Sequence, residues 1–306
     1  LSAARRRIVA TAWLADVSDE EVVMLLAGKR ILVTGVLNER SIAFAAARLA
    51  QEQGAEVVLT GFGRALRITR RVAERLPQPC DVLELDVTVP EHISAVAVEL
   101  ERRWGRLDGL LHAVAFAPAS ALDGGFLDTP WPDVARAVEV STYSFAALTR
   151  ACAPLLAAAG GGSVVGLDFD ARQVWPGYDW MGVAKAGLES CCRYLAHTLG
   201  PQGTRVNLVA AGPLRTIAAT AIESFEVLQQ TWRDRSPLEW DTTDATPVGR
   251  AVCVLWSDWL PAVTGEVLHV DGGVHAMGAG GVRVARASVP VVPTPVASGA
   301  AAGAVG

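Results

Sequence analysis

The chain has 306 residues, 51% of them hydrophobic, enough to bury a sizeable core in one large domain or two ordinary ones. A formal charge of −5 gives no general electrostatic reason to bind nucleic acid, and the Arg5-Arg6-Arg7 cluster is too short to change that. No unbroken apolar run reaches the roughly 18 residues of a membrane span. The five cysteines lack CxxC spacing and the five histidines are scattered with no HExxH, so neither a disulfide framework nor a metal centre is expected.

The first 26 residues lack the long apolar run and small-residue cleavage site of a signal peptide, which together with reduced thiols predicts a cytoplasmic protein. Within this extension a short helix is expected near 19–26. From Lys29 the pattern becomes regular. A strand over 30–34, a loop over 35–40 and a helix over 41–53 closed by Gly54 come first. A strand over 56–60, a helix to about Leu76, a strand over 81–85 and a helix over 90–104 follow. The fourth strand, 109–114, leads into Ala115-Phe116-Ala117-Pro118. A helix over 131–157 is broken by Gly160-Gly161-Gly162, and a fifth strand over 163–167 ends at Asp168-Phe169-Asp170.

The next helix spans 178–199, with Val183, Ala184, Leu188 and Leu195 as the apolar stripe that seats it on a core. A strand over 205–209 precedes an irregular helical segment, 217–240, that suits a flap over a pocket. A helix over 246–256 and a last strand over 266–270 complete the series. Strands alternating with helices imply one domain over 27–278: an α/β, Rossmann-type doubly wound parallel sheet with helices on both faces and a helical substrate flap. The Ala, Gly, Val and Pro composition of 279–306 reads as a disordered tail.

Ligands of such sheets sit beyond the carboxyl ends of the strands. The loop Gly35-Val36-Leu37-Asn38-Glu39-Arg40-Ser41-Ile42-Ala43 occupies that place after the first strand, where a helix N-terminus favours a pyrophosphate. Only Gly35 of a GxGxxG pattern is present, and Ser41 equally suits an ordinary N-cap. On a helix, Tyr178 and Lys185 fall within roughly 20° of each other and about 10 Å apart along the axis. That face offers a phenol and an ammonium, although a buried Tyr beside a snorkelling Lys would give the same spacing.

Gly35-x5-Ser41-Ile42-Ala43, Gly61-Phe62-x-Arg64, Leu85-Asp86-Val87, Asp168-Phe169-Asp170, Tyr178-x6-Lys185, the run from Asn207 to Thr216 and Asp271-Gly272-Gly273 together resemble the NADH-dependent enoyl-acyl-carrier-protein reductases of fatty-acid synthesis. These belong to the short-chain dehydrogenase/reductase superfamily, and the likeness is to their mycobacterial and actinobacterial branch. The resemblance implies that Gly35, Ser41, Ile42 and Thr216 lie along the pyrophosphate, that Phe62 flanks the adenine, and that Asp86 and Val87 bind its edge. Ala115 and Leu214 would meet the nicotinamide end, and Lys185 the ribose hydroxyls. Tyr178 would donate to the substrate carbonyl, with Phe169, Phe116 and Met181 walling the enoyl group. NADH is the implied cofactor, with NADPH left open because Arg64 could meet a 2′-phosphate and no acid ends the second strand. The implied partners are an acyl-carrier-protein or coenzyme A thioester and further copies of the chain in a homotetramer, with no nucleic acid and no membrane.

The chain departs from that branch at several positions. Ala113-Val114-Ala115-Phe116 replaces Ser-Ile-Gly-Phe, Gly182 stands for a Thr, and Trp175 replaces a Met near the pocket. The flap is shorter than in the long-chain mycobacterial members by roughly one helical hairpin, which predicts short or medium acyl chains, each buried methylene contributing about 0.8 kcal/mol. Two other readings stay open: a ketone- or alcohol-specific short-chain dehydrogenase, which would pair its Tyr with a Lys four residues on, and a non-catalytic dinucleotide-binding paralogue.

Overall fold

The computed structural model describes residues 24–217, 219 and 224–278. The expected C-terminal tail and residues 19–23 of the expected first helix lie outside them, and Leu25 and Leu26 form a turn rather than a helix. Seven strands, β1 Arg30–Val33, β2 Glu56–Gly61, β3 Val82–Glu84, β4 Gly109–His112, β5 Ser163–Asp168, β6 Arg205–Ala211 and β7 Val267–Val270, form one sheet in the order β3-β2-β1-β4-β5-β6-β7. Every pairing is parallel. Eight α-helices are described: α1 Ile42–Glu52, α2 Gly63–Ala73, α3 Pro90–Trp104, α4 Trp131–Val138, α5 Ser144–Ala158, α6 Asp179–Leu199, α7 Phe225–Arg235 and α8 Thr246–Trp256.

The period-2 alternation of each strand divides the core. Ile31, Val33, Val57, Leu59, Leu111 and Val165 face one layer with α1, α2 and α8. Leu32, Val58, Leu110 and Val164 face the other, with α3, α5 and α6. Burial on both faces explains why these strands read as unbroken apolar runs.

The expected continuous helix over 131–157 is interrupted. Between α4 and α5 the backbone makes a π-helical turn, Glu139–Tyr143. The extra residue turns Ser141 toward the loop after β4, where its hydroxyl donates to the Phe116 carbonyl and accepts from the Phe116 N–H, both at 3.0 Å. Thr142 beside it donates to the Ala184 carbonyl of α6 at 2.6 Å. Apolar periodicity does not register such hydroxyl contacts, which favour insertion of one residue into a helix at a functional face.

The stripe expected on α6 is also shifted. Val183 is exposed, and the buried face consists of Met181, Ala184, Lys185, Leu188, Cys192, Ala196 and Leu199. These recur every three or four residues, whereas Val183 lies about 200° around the helix from Met181.

Candidate active site

The chain runs from β1 to β3 toward one edge of the sheet and then crosses to β4 and the other edge, so a crevice opens beyond the carboxyl ends of β1 and β4. The loops leaving these two strands touch. Gly35 sits at φ +81°, and a β-carbon there would overlap the Ala113 carbonyl. Thr34 ties the same loops together, its N–H and hydroxyl donating to the Leu111 carbonyl and its oxygen accepting from the Ala113 N–H. The crevice has a volume of about 600 Å³, within the usual range for cofactor and small-molecule sites.

All fourteen residues singled out from the sequence line this crevice. Gly35, Ser41 and Ile42 come from the β1 loop and α1, Phe62 from the end of β2, and Asp86 and Val87 from the end of β3. Ala115 and Phe116 follow β4, Phe169 follows β5, and Leu214 and Thr216 follow β6. Tyr178, Met181 and Lys185 come from the start of α6. Arg64 does not line it; its side chain is exposed on α2. Trp175 lies behind the wall, buried against Phe169 and Trp232 with ring centroids 5.3 and 5.1 Å away.

Ser41 holds the N-cap position but does not cap α1. Its hydroxyl faces backward and accepts from the Leu37 and Asn38 N–H groups, each at 3.1 Å. No acidic residue occupies the first turn. The helix therefore presents its N-terminal N–H groups and the positive end of its dipole to the crevice without a carboxylate of its own, a fitting seat for a pyrophosphate. Beyond the ends of β2 and β3, Asp86 Oδ1 accepts from the Thr88 N–H and hydroxyl, fixing the β3 loop, while Phe62 stands half-exposed.

Tyr178 lies one residue outside α6, not within it as the spacing predicted. It is followed by Asp179 at φ +33°, a backbone conformation rare for a side-chain-bearing residue. That turn is held from outside: the Gly124 N–H donates to Asp179 Oδ2 at 2.6 Å, the Asp123 N–H to the Gly177 carbonyl, and the Ser224 hydroxyl to the Pro176 carbonyl. Such over-determination is typical where strain positions a functional group. The Tyr178 ring packs against Phe169 with centroids 5.2 Å apart. Burial and then the nearby Asp168 carboxyl raise the phenol above its ordinary value, so it is held protonated as a donor.

Lys185, only 5% exposed, donates to the Leu167 carbonyl at 2.8 Å, leaving two of its three N–H groups for a ligand. Burial lowers its affinity for a proton and Asp168 partly restores it. Asp168, at the carboxyl end of β5, lines the crevice too, and burial pushes its carboxyl up to about 7. In the sequence this residue stands only as part of the Asp168-Phe169-Asp170 motif. Its signal was an ionisable residue closing the otherwise apolar strand Ser163–Asp168.

His112 completes the surroundings of Lys185. The Ser144 hydroxyl donates to the Val140 carbonyl and so accepts from His112 Nε2–H at 2.7 Å, which fixes a neutral tautomer. Burial first, then Lys185, pushes this imidazole down to about 3. Among the described residues no three His, Cys, Asp or Glu side chains are placed to hold a metal ion, and no helix is long and apolar enough to cross a membrane.

A doubly wound parallel sheet whose switch-point crevice joins an uncapped helix N-terminus to a protonated phenol and a buried lysine defines a nicotinamide-dinucleotide oxidoreductase. A family model described as enoyl-(acyl carrier protein) reductase matches residues 35–275. An NADH enoyl-[acyl-carrier-protein] reductase of Mycolicibacterium smegmatis is 46% identical over 263 residues, covering 81% of this chain and 97% of the relative. Its counterpart in Mycobacterium avium is 44% identical over 262 residues, with the same coverage, and one from Aquifex aeolicus is 40% identical over 255, covering 83% and 94%. The chain belongs to the enoyl-acyl-carrier-protein reductase family.

Proposed function

We propose that the protein reduces the 2,3 double bond of trans-2-enoyl thioesters with NADH. The observation that carries this reading is the convergence of Tyr178 and Lys185 on the crevice that the N-terminus of α1 also faces. NADH, when bound, would supply a hydride to the β-carbon of the thioester, and the resulting enolate would take its proton at the α-carbon from solvent. Between these two steps charge develops on the thioester carbonyl oxygen, and Tyr178, held neutral, donates a hydrogen bond to it; one such donor typically contributes about 3 kcal/mol of barrier lowering. Lys185 holds the ribose hydroxyls with the N–H groups that Leu167 leaves free, and its charge favours the developing oxyanion. Gly35, Ser41, Ile42 and Thr216 seat the pyrophosphate, Phe62, Asp86 and Val87 the adenine, and Ala115 and Leu214 the nicotinamide end. Phe116, Phe169 and Met181 orient the enoyl group.

The substrate is a short or medium acyl thioester of acyl carrier protein or coenzyme A. Supporting this, Met181, Phe225 and Leu228 line the crevice as bulky apolar side chains, with Trp232 buried behind Phe169. Steady-state rates across a chain-length series, with NADH and NADPH in parallel, test the assignment. Efficiency should peak at short or medium chains with NADH; a steady rise to very long chains would refute the length limit, and turnover of acetoacetyl but not crotonyl thioester would refute the reaction.

A cytoplasmic homotetramer fits the five free thiols and the large side chains left exposed on the π-helical turn between α4 and α5 and on α6, Tyr143 at 57% and Tyr194 at 73%. Light scattering of the purified chain should give a mass near four copies.

A further inference from the structure

Asp168 is an anomaly within the site. It is only 5% exposed, yet neither carboxylate oxygen has a hydrogen-bond partner among the described residues. A buried carboxylate left unpaired costs more than almost any other polar group, so one is kept only where it serves something. Its chain neighbour Leu167 supplies the carbonyl that holds Lys185, so Asp168 adjoins the residue that anchors the ammonium, and both line the crevice without sharing a hydrogen bond.

Other charges around the pair do not replace it. Glu189 on α6 and Asp170 on the same loop face Asp168 with like charge, and Asp170 is taken by Arg172 at 2.9 Å. Cys192 on α6 is buried and raised to about 12, so it stays a neutral thiol. Tyr178 is a protonated phenol, and His112 on β4 is held neutral through Ser144. Among the described residues, Lys185 is the one cation whose charge acts on Asp168.

We propose that Asp168 is the counter-ion of Lys185, a positioning residue that keeps the lysine an ammonium, able to hold the dinucleotide ribose, once bound cofactor cuts it off from water. The role rests on the reading of Lys185 as a cofactor contact. Burial strips a lysine of its proton unless an opposite charge lies within a few ångströms. The Asp168 carboxyl ionises at about 7, so the compensating charge is present in the alkaline range, where the lysine would otherwise begin to lose its proton.

The test is the pH dependence of NADH affinity in Asp168→Asn, measured by fluorescence titration and as KM, with kcat recorded alongside. At about pH 6 the variant and parent should agree within twofold. By about pH 9 the variant's KM for NADH should be about tenfold higher, the equivalent of one pKa unit at Lys185, with kcat at saturating NADH within threefold. A ratio that is constant across pH, as a purely structural defect would give, or a loss confined to kcat, overturns the proposal. Asp168→Glu, which keeps the charge, should restore the alkaline affinity.

A second measurement does not depend on how these variants fold. In Lys185→Met, the carbon-13 resonance of the Asp168 carboxyl should titrate at higher pH than in the parent; an unchanged titration overturns the pairing. Fluorescence titration needs no turnover, so a parent protein that binds NADH but reduces no enoyl thioester would sink the reductase reading and leave this test intact.

Discussion

Replacing Gly35 with Ala probes the junction on which the crevice is built. The residue sits at φ +81°, where an L-side chain costs about 1–2 kcal/mol. Its new methyl would overlap the Ala113 carbonyl, so the β1 and β4 loops must part. Parting them strains the Thr34 contacts, an N–H to the Leu111 carbonyl at 3.1 Å and an Ala113 N–H to the Thr34 hydroxyl at 2.9 Å, each worth about 1 kcal/mol. The sum is about 3–4 kcal/mol, which for a domain of this size lowers Tm by roughly 10 °C. Gly105→Ala is the control: φ is +64° at the end of α3 with no atom within 4 Å of the added methyl, so only conformational strain applies, about 1 kcal/mol and roughly 3 °C. Thermal unfolding by circular dichroism, with NADH titration of both variants, reads the difference. Should Gly35→Ala melt with Gly105→Ala and bind NADH like the parent, the two loops do not meet as described.

Tyr178→Phe should lower kcat with crotonyl thioester by about ten- to a hundredfold and leave the KM for NADH within threefold; a change confined to NADH affinity would contradict its role as donor to the substrate. Lys185→Met should instead act chiefly on NADH affinity, raising its Kd by at least about tenfold in fluorescence titration. Gly182→Ala should raise stability by up to about 1 kcal/mol without loss of turnover, since the added methyl meets nothing closer than Tyr178 Cδ1 at 3.7 Å. The folded-state value of His112 lies below its unfolded one, so the stability that its neutral ring contributes is fully present above about pH 6.5 and is lost as pH falls toward 3. Asp168 is shifted the other way and gives up stability as pH rises from about 4 through 7. His112→Gln should therefore flatten the acid side of a Tm-against-pH curve, and Asp168→Asn should steepen it.

The order of strands and helices was legible because the central strands are buried on both faces and most of the helices end near a Gly or Pro. The crevice was legible for a related reason: loops leaving the carboxyl ends of parallel strands must meet, and the marked residues lie on those loops or, like Ile42, Met181 and Lys185, at the start of the helices that follow them. What the sequence concealed depends on partners far away along the chain. The π-helical turn answers hydroxyl contacts from Ser141 to Phe116 and from Thr142 to Ala184. Tyr178 leaves the helix because Gly124, Asp123 and Ser224 fix the turn before it. Ser41 turns its hydroxyl back toward Leu37 and Asn38, leaving a helix start that any capping rule would have closed. Asp168 stood in plain view within a motif, but its lack of a partner exists only in three dimensions.

Reduction of crotonyl thioester with NADH deuterated at the transferred position tests the account most directly. It predicts butyryl product carrying one deuterium, located at the β-carbon by mass spectrometry. Oxidation of NADH without label at that carbon, or label appearing only on the carbinol carbon of a reduced ketone, would contradict it.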